Sequence, residues 1–243
     1  MFIKSVELDP RSFPCKDKYP FNVPSFTRKT NLNFSSNITF FTGKNGVGKS
    51  TLLDSLALKS GLLPWGGIKA HVSHSNPYEN HLARFISIVW EKRKPYGFYF
   101  RAEVFFNFAS SLDDILRDDP GRSSYFGGAS LNSLSHGESF LKFFGGYSFG
   151  LDGLYLIDEP ESALDPFNQI EFVKILSRNA KSGNRQYIIS TLSPIVLACP
   201  DSQIFSFDEN GIKHVSWRQT SSYRFYESFL KNPERFLYQE HDD

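Results

Sequence analysis

Gly43-Lys44-Asn45-Gly46-Val47-Gly48-Lys49-Ser50-Thr51 is the stretch on which the fold turns. It fits G-x-x-x-x-G-K-[ST], a phosphate-binding loop that needs a strand before it and a helix after it. Asn37-Ile38-Thr39-Phe40-Phe41-Thr42 reads as a buried strand and Leu52 to Lys59 as a helix, so both flanks are present. Glycines let the backbone wrap an anion with its N–H groups turned inward. The helix N-terminus adds partial positive charge. Lys49 can reach β- and γ-phosphates, and the Ser50 hydroxyl can ligate Mg²⁺.

Bulk composition narrows the surroundings of this loop. A chain of 243 residues that is 40% hydrophobic, with 25 Phe, suits one α/β domain with a large core. Lys plus Arg number 27 against 26 Asp plus Glu, so the chain as a whole is no polyanion binder, although a local patch remains open. Cys15 and Cys199 are far apart and in no metal-ligand spacing, which reads as free thiols in a reducing cytosol. Met1 to Glu7 is a strand pattern rather than a signal peptide. No apolar run approaches the ~18–20 residues of a membrane span, so the expected location is the cytoplasm.

Working outward, Phe2 to Leu8 alternates as a half-buried strand, Asp9 to Pro24 is a proline-punctuated loop, and Leu32-Asn33-Phe34 returns to strand. Gly61 to Pro77 reads as connection and Glu79 to Lys92 leans to helix. Gly97 to Glu103 reads as a strand, Phe105 to Arg117 as a helix, Asp118 to Asn132 as a loop and Gly137 to Phe144 as the start of a helix. Gly153 to Asp158 is a short apolar strand, Pro166 to Ala180 an amphipathic helix and Gln186 to Ser190 a buried strand. Ile204–Phe207 and Ile212–Ser216 flank Asn210-Gly211 as a hairpin. Tyr223 to Tyr238 is helical, broken at Pro233, and its Phe225, Phe229, Phe236 and Leu237 predict a helix packed on the sheet. Strands alternating with helices predict an α/β fold with a mainly parallel sheet.

Leu154-Tyr155-Leu156-Ile157-Asp158-Glu159-Pro160 carries the second half of the chemistry. An Asp at such a strand end faces the Mg²⁺ held by the loop Ser. The next Glu can orient and deprotonate an attacking water. Asp158 is thus assigned to the metal and Glu159 to the water. Capping of the following turn is what these acids would do without a phosphate-binding loop upstream.

Three further segments resemble the ABC-type ATPases. Leu134-Ser135-His136-Gly137-Glu138 is similar to their signature motif, Ser162-Ala163-Leu164-Asp165 to their D-loop, and Ser190-Thr191-Leu192-Ser193-Pro194 to their switch segment. Asn45 gives the loop its ABC form. The elements occur in family order from Gly43 to about Pro194. The likeness is nearest to small soluble bacterial ABC ATPases with a Ser-His-Gly-Glu-Ser-Phe signature. Related P-loop proteins serve DNA repair and phage defence. The resemblance implies a P-loop ABC-type fold: a mainly parallel sheet flanked by helices, antiparallel strands on the N-terminal side, and a small helical lobe carrying the signature. It implies a single domain over 1–243, with a core of about 1–75 and 150–243 and a lobe of about 76–149. It also implies ATP and Mg²⁺ as ligands and a head-to-tail dimer, with itself or a related ATPase, in which the signature of one subunit faces the phosphate loop of the other.

On that resemblance the catalytic residues are Glu159 and Lys49. Nucleotide contacts fall to Gly43, Asn45, Gly46, Gly48, Lys49, Ser50, Thr51, Ser135, Gly137, Glu138 and Asp165, and metal contacts to Ser50, Asp158 and Glu103. Ser135 to Glu138 equally reads as a helix N-cap with an acid in the first turn. Glu103 stands where the family ends a strand with Gln; the other reading is a solvated Arg101–Glu103 pair. Phe13, Tyr19 and Phe21 are the candidates for stacking on adenine.

The chain departs from the family at Leu192, where a histidine normally touches the γ-phosphate and the water. Losing such a contact costs a few kcal/mol, roughly 10²–10³ in rate. Slow hydrolysis with intact ATP binding is the expectation, and an ATP-locked clamp is its alternative. His71, His74 and His81 read as loop histidines before a metal site. Lys92-Arg93-Lys94 with Arg84 reads as a solvated helix end before a nucleic-acid patch. Function therefore divides between an Mg²⁺-dependent ATPase that drives or times an effector protein and an ATP-gated regulator of a nucleic-acid-acting or phage-defence complex. The ATP subunit of a membrane transporter ranks third.

Overall fold

The computed structural model describes residues 1–62, 64–65, 78, 81–92, 96–102, 136–146, 149, 151–181 and 184–237. Two sheets organise them. The larger runs β10-β9-β3-β8-β7-β6-β4: β10 Gly211–Val215, β9 Gln203–Asp208, β3 Ile38–Thr42, β8 Arg185–Ser190, β7 Gly153–Asp158, β6 Gly97–Arg101 and β4 Pro64–Trp65. All its pairings are parallel except β9 with β10, the hairpin expected at Asn210-Gly211, where Gly211 takes φ +117°. The smaller sheet is antiparallel, with β1 Ile3–Leu8 between β2 Thr30–Asn33 and β5 Ile86–Trp90.

Side-chain alternation divides the central strands between two cores. Phe41, Leu154, Leu156 and Ile188 face α1 (Lys49–Ser60) and its Leu52, Leu53 and Leu56. Phe40, Tyr155, Ile157, Tyr187 and Ile189 face the opposite side, under Phe172 and Leu176 of α4 (Pro166–Lys181). The second core is dominated by phenylalanine. Phe140 and Phe144 of α3 (His136–Gly145) pack edge to face on Phe100, Phe149 and Phe172 at 4.4–5.6 Å between ring centroids, and Phe143 stacks on Phe100 at 5.8 Å. Many of the 25 Phe are thus spent on one interlocked layer.

Two buried glutamines join the sheets. Gln186 Oε1 accepts from Phe2 N and Ile3 N at 2.8 Å each, and its Nε2 donates to Ile3 O. Gln203 donates to Asn33 O and accepts from Ser35 N.

Three expectations change. Of residues 79–92, the described ones, 81–92, are helical only over α2 (Leu82–Phe85) and then become β5. Ile86, Ile88 and Trp90 are the more buried residues of β5, Ser87 and Val89 the exposed ones, and this period of two overrides the short helical pattern. Both β5 and β6 fall inside 76–149, the span assigned to a helical lobe, yet they belong to the sheets. The C-terminal helices α6 (Ser221–Lys231) and α7 (Glu234–Leu237) bury no residue. α6 packs on the Trp217 turn and on α5 (Pro194–Leu197) rather than on the sheet. Phe225, Phe229 and Phe236 instead pack on one another.

Candidate functional site

The loop after β3 is held open from behind. Gly43, Gly46 and Gly48 take φ of +136°, +82° and +101°, a region that favours glycine. A Cβ at Gly43 would lie 2.2 Å from Phe207 O, and one at Gly48 would lie 2.5 Å from Val23 and 2.8 Å from Phe26. Ser25, fully buried, donates from Oγ to Val47 O at 2.5 Å. The segment 23–26 therefore braces the outside of the loop, a role that nothing in the proline-rich stretch announces. A Cβ at Gly46 meets nothing within 4 Å, so the concave face is clear.

Lys49, 4% exposed, folds over this face and donates from Nζ to Gly43 O at 2.8 Å and Lys44 O at 3.0 Å. Burial pulls its ammonium below the usual lysine range, against the raising effect of Glu159, Asp158 and Glu161. At the end of β7, Asp158 pairs in register with Ser190 of β8 and Arg101 of β6. Its Oδ1 accepts from Ser50 Oγ at 3.0 Å. Burial pushes its carboxyl up to about 6; the Ser50 hydrogen bond opposes this, and the charges of Glu159 and Asp54 add to it. Glu159 takes the left-handed conformation, φ 50°, which turns it out of the strand direction. It lines the same cleft of about 490 Å³ as Asn45, Gly46, Gly48, Lys49, Ser50 and Thr51.

Of the three aromatic candidates, Tyr19 lines that cleft, with its hydroxyl hydrogen-bonded to that of Thr51 at 3.1 Å. Phe21 is buried in the core, and Phe13 packs on it at 4.9 Å. Arg101 pairs with Asp54 of α1, and Tyr99 OH donates to the same carboxylate at 2.7 Å. The guanidinium is thus anchored on α1, one turn beyond Ser50. Glu103 and Ser135 lie outside the described residues, as do His71, His74, Arg93 and Lys94. His81 packs its ring on Tyr78 at 5.9 Å, and Lys92 donates to Asn184.

Sequence reasoning missed the role of Glu161. Its carboxylate accepts from Thr191 Oγ1 at 2.8 Å and from Leu192 N at 2.6 Å, tying the turn after β7 to the switch segment. Burial raises its pKa, and those hydrogen bonds oppose the shift. A second tie lies beside it. Ser193 Oγ donates to Gln169 Oε1 at 2.5 Å, and Gln169 Nε2 donates to Leu164 O at 2.9 Å. Asp165 caps α4, accepting from Phe167 N, Asn168 N and Asn168 Nδ2 at 2.7–3.0 Å. Gly137 backs onto this cap, since a Cβ there would meet Asn168 Nδ2 at 2.4 Å. Gly137, Asn168 and Asp165 therefore form one surface, with Glu138 and Asp165 exposed.

The donors fit Mg²⁺. Ser50 Oγ and Asp158 Oδ1 form a hard-oxygen pair beside the phosphate loop, and this ion is held by few protein ligands together with water and phosphate. Among the described residues no cluster of three or more His, Cys, Asp or Glu exists for any other metal.

A family model described as an AAA domain matches residues 21–62, which contain the phosphate loop. No curated protein matches the chain. Among solved structures, the SMC head domain from Thermotoga maritima aligns at TM-score 0.52 and 18% identity, over 89% of this chain and 99% of its own. CbiO1 from Clostridium perfringens, part of the ABC transporter complex cbiONQ, aligns at 0.51 and 16%, over 97% and 98%. The Pyrococcus furiosus Smc head bound to the C-terminal domain of ScpA aligns at 0.51 and 13%, over 97% and 99%. The fold is that of ABC-type P-loop ATPases and SMC heads. Among the described residues no helix is long and apolar enough to cross a membrane.

Proposed function

From the ABC-type P-loop fold we infer that this chain binds Mg·ATP in the cleft at Gly43–Thr51 and hydrolyses it slowly. The observation that carries the reading is the convergence of Lys49, the Ser50–Asp158 pair and Glu159 on one cleft. Loop N–H groups and Lys49 hold the phosphates, and Lys49 exchanges its two carbonyl partners for phosphate oxygens. Mg²⁺ held at Ser50 and Asp158 would neutralise charge on the β- and γ-phosphates. Glu159 accepts the proton of the attacking water. Tyr19 stacks on the adenine.

The exposed surface of Gly137, Glu138 and Asp165 supports a head-to-tail dimer in which this face meets the nucleotide of a second subunit, with an effector protein reading the ATP-bound state. Leu192 favours a second reading, an ATP-gated clamp with little turnover, because a leucine offers no donor to the γ-phosphate. Steady-state ATPase of the wild type and Glu159→Gln, with nucleotide binding and sizing in ATP, tests both. The first expects slow wild-type turnover abolished in the variant, with ATP retained and the dimer enriched. Wild-type turnover no higher than that of the variant, with ATP still bound, selects the clamp. Absence of ATP binding refutes the whole reading.

A further inference from the structure

We propose that the groove between α4 and α6 is a docking site for an acidic amphipathic helix of a partner protein. The groove encloses about 1020 Å³. For a helix about 10 Å across, that is room for about two turns. Ile170 and Val173 of α4 form one wall, Tyr226 and Leu230 of α6 the other, and Ile195 and Trp217 the floor. Leu230 is 75% exposed, Tyr226 49% and Ile170 44%, so among the described residues nothing covers these apolar side chains. The floor is rigid: Trp217 Nε1 donates to Pro194 O at 2.9 Å, and the indole packs on Tyr223 at 4.7 Å. Two helix faces with an apolar floor are the geometry that receives an amphipathic helix.

Charge selects the occupant. Lys174 is paired with Glu171 at 2.7 Å and Glu227 with Lys231 at 3.1 Å. That leaves Arg178 and Lys181 on the rim, exposed and with no ion pair among the described residues. A helix with acids flanking its apolar stripe neutralises them. The α6 of a second copy would instead bring Arg224 against them, its Lys231 being paired with Glu227, and a concave wall does not fit a flat bilayer. The groove lining includes Pro194, the last residue of the switch-like segment, so the occupant sits against the element that continues from that segment. Docking itself does not depend on the ATPase reading.

The test uses the whole chain and a fluorescein-labelled helical peptide of about 16 residues, the length of α4. Leucines stand at i, i+3, i+4 and i+7 with glutamates beside them, and a second peptide carries lysines in place of the glutamates. Anisotropy should show the glutamate peptide bound at least about tenfold more tightly at low salt. Leu230→Asp, at a site too exposed to disturb folding, should abolish binding, and the double variant R178E/K181E should reverse the preference. Equal binding of both peptides, no binding, or indifference to Leu230→Asp would overturn the proposal. So would a nucleotide-free dimer that Leu230→Asp dissolves, which makes the occupant a second copy, or phosphatidylglycerol vesicles competing the peptide away.

Discussion

Replacing Asp158 by Asn should stabilise the protein in the absence of nucleotide, although Asp158 is assigned to the metal. The substitution keeps the side chain's size, and its carbonyl oxygen still accepts from Ser50. It removes a carboxylate that burial pushes up to about 6 from an ordinary 3.8, with Glu159 and Asp54 adding repulsion. Because the folded carboxyl holds its proton more tightly than the unfolded one, the penalty is absent below about pH 4. It grows between about 4 and 6, where only the unfolded chain has lost the proton, and is constant above. About two pH units at 1.36 kcal/mol each amount to about 3 kcal/mol at pH 8. For a chain of this length that is about 6–12 °C in Tm. Thermal melts of wild type and variant across pH 4–8 without nucleotide should show a gap that opens with pH and closes near pH 4. A gap independent of pH, or a variant less stable at pH 8, would refute the reasoning. Added Mg·ATP should narrow the gap, because only the carboxylate form binds the metal and gains from ligand linkage.

Leu192→His should raise ATP turnover by up to about 10²–10³ without changing ATP affinity; an unchanged rate removes the switch position from the chemistry. Glu161→Gln offers one acceptor where two donors now converge, so it should cost about 1–3 kcal/mol in urea unfolding and lower turnover as the switch loosens. Unaltered stability would show that the tie carries no load. Tyr19→Ala should weaken nucleotide binding by about tenfold with little effect on Tm, the loss of one base-stacking contact being worth about 1–3 kcal/mol. Phe21→Ala should do the reverse, lowering Tm through about 3–5 kcal/mol of lost packing; identical profiles for the two would contradict their placement.

The stability cost at Asp158 gives the Ser50–Asp158 pair its character. A hydroxyl and a carboxylate are brought together in a partly buried corner beside another acid, with the lysine of the same cleft folded onto loop carbonyls. Such an arrangement is unfavourable by itself and would be relieved by the cation and phosphates of the proposed Mg·ATP, a frequent trade between stability and function.

Much of this was legible before any coordinates. Gly43–Thr51 with its flanks dictated a strand, an anion cradle and a helix, because each glycine there answers a local backbone demand. Apolar runs ending in Asp158 and Ser190 dictated buried parallel strands. These signals are local, and local physics suffices to read them. What the tertiary structure decided involves partners distant in the chain. Residues 86–90 became a strand because β1 offered an edge to pair with, which outweighed a weak helical pattern. Tyr19 was separated from Phe13 and Phe21 only by which ring the core absorbed. Arg101 found Asp54, 47 residues away, and Glu161 found Thr191 and Leu192, about 30 residues away, so neither tie had a spacing to betray it. The apolar C-terminal helix predicted a buried partner that the described residues do not supply. Sequence periodicity records that a face is apolar; only the packing of the whole chain decides whether anything covers it.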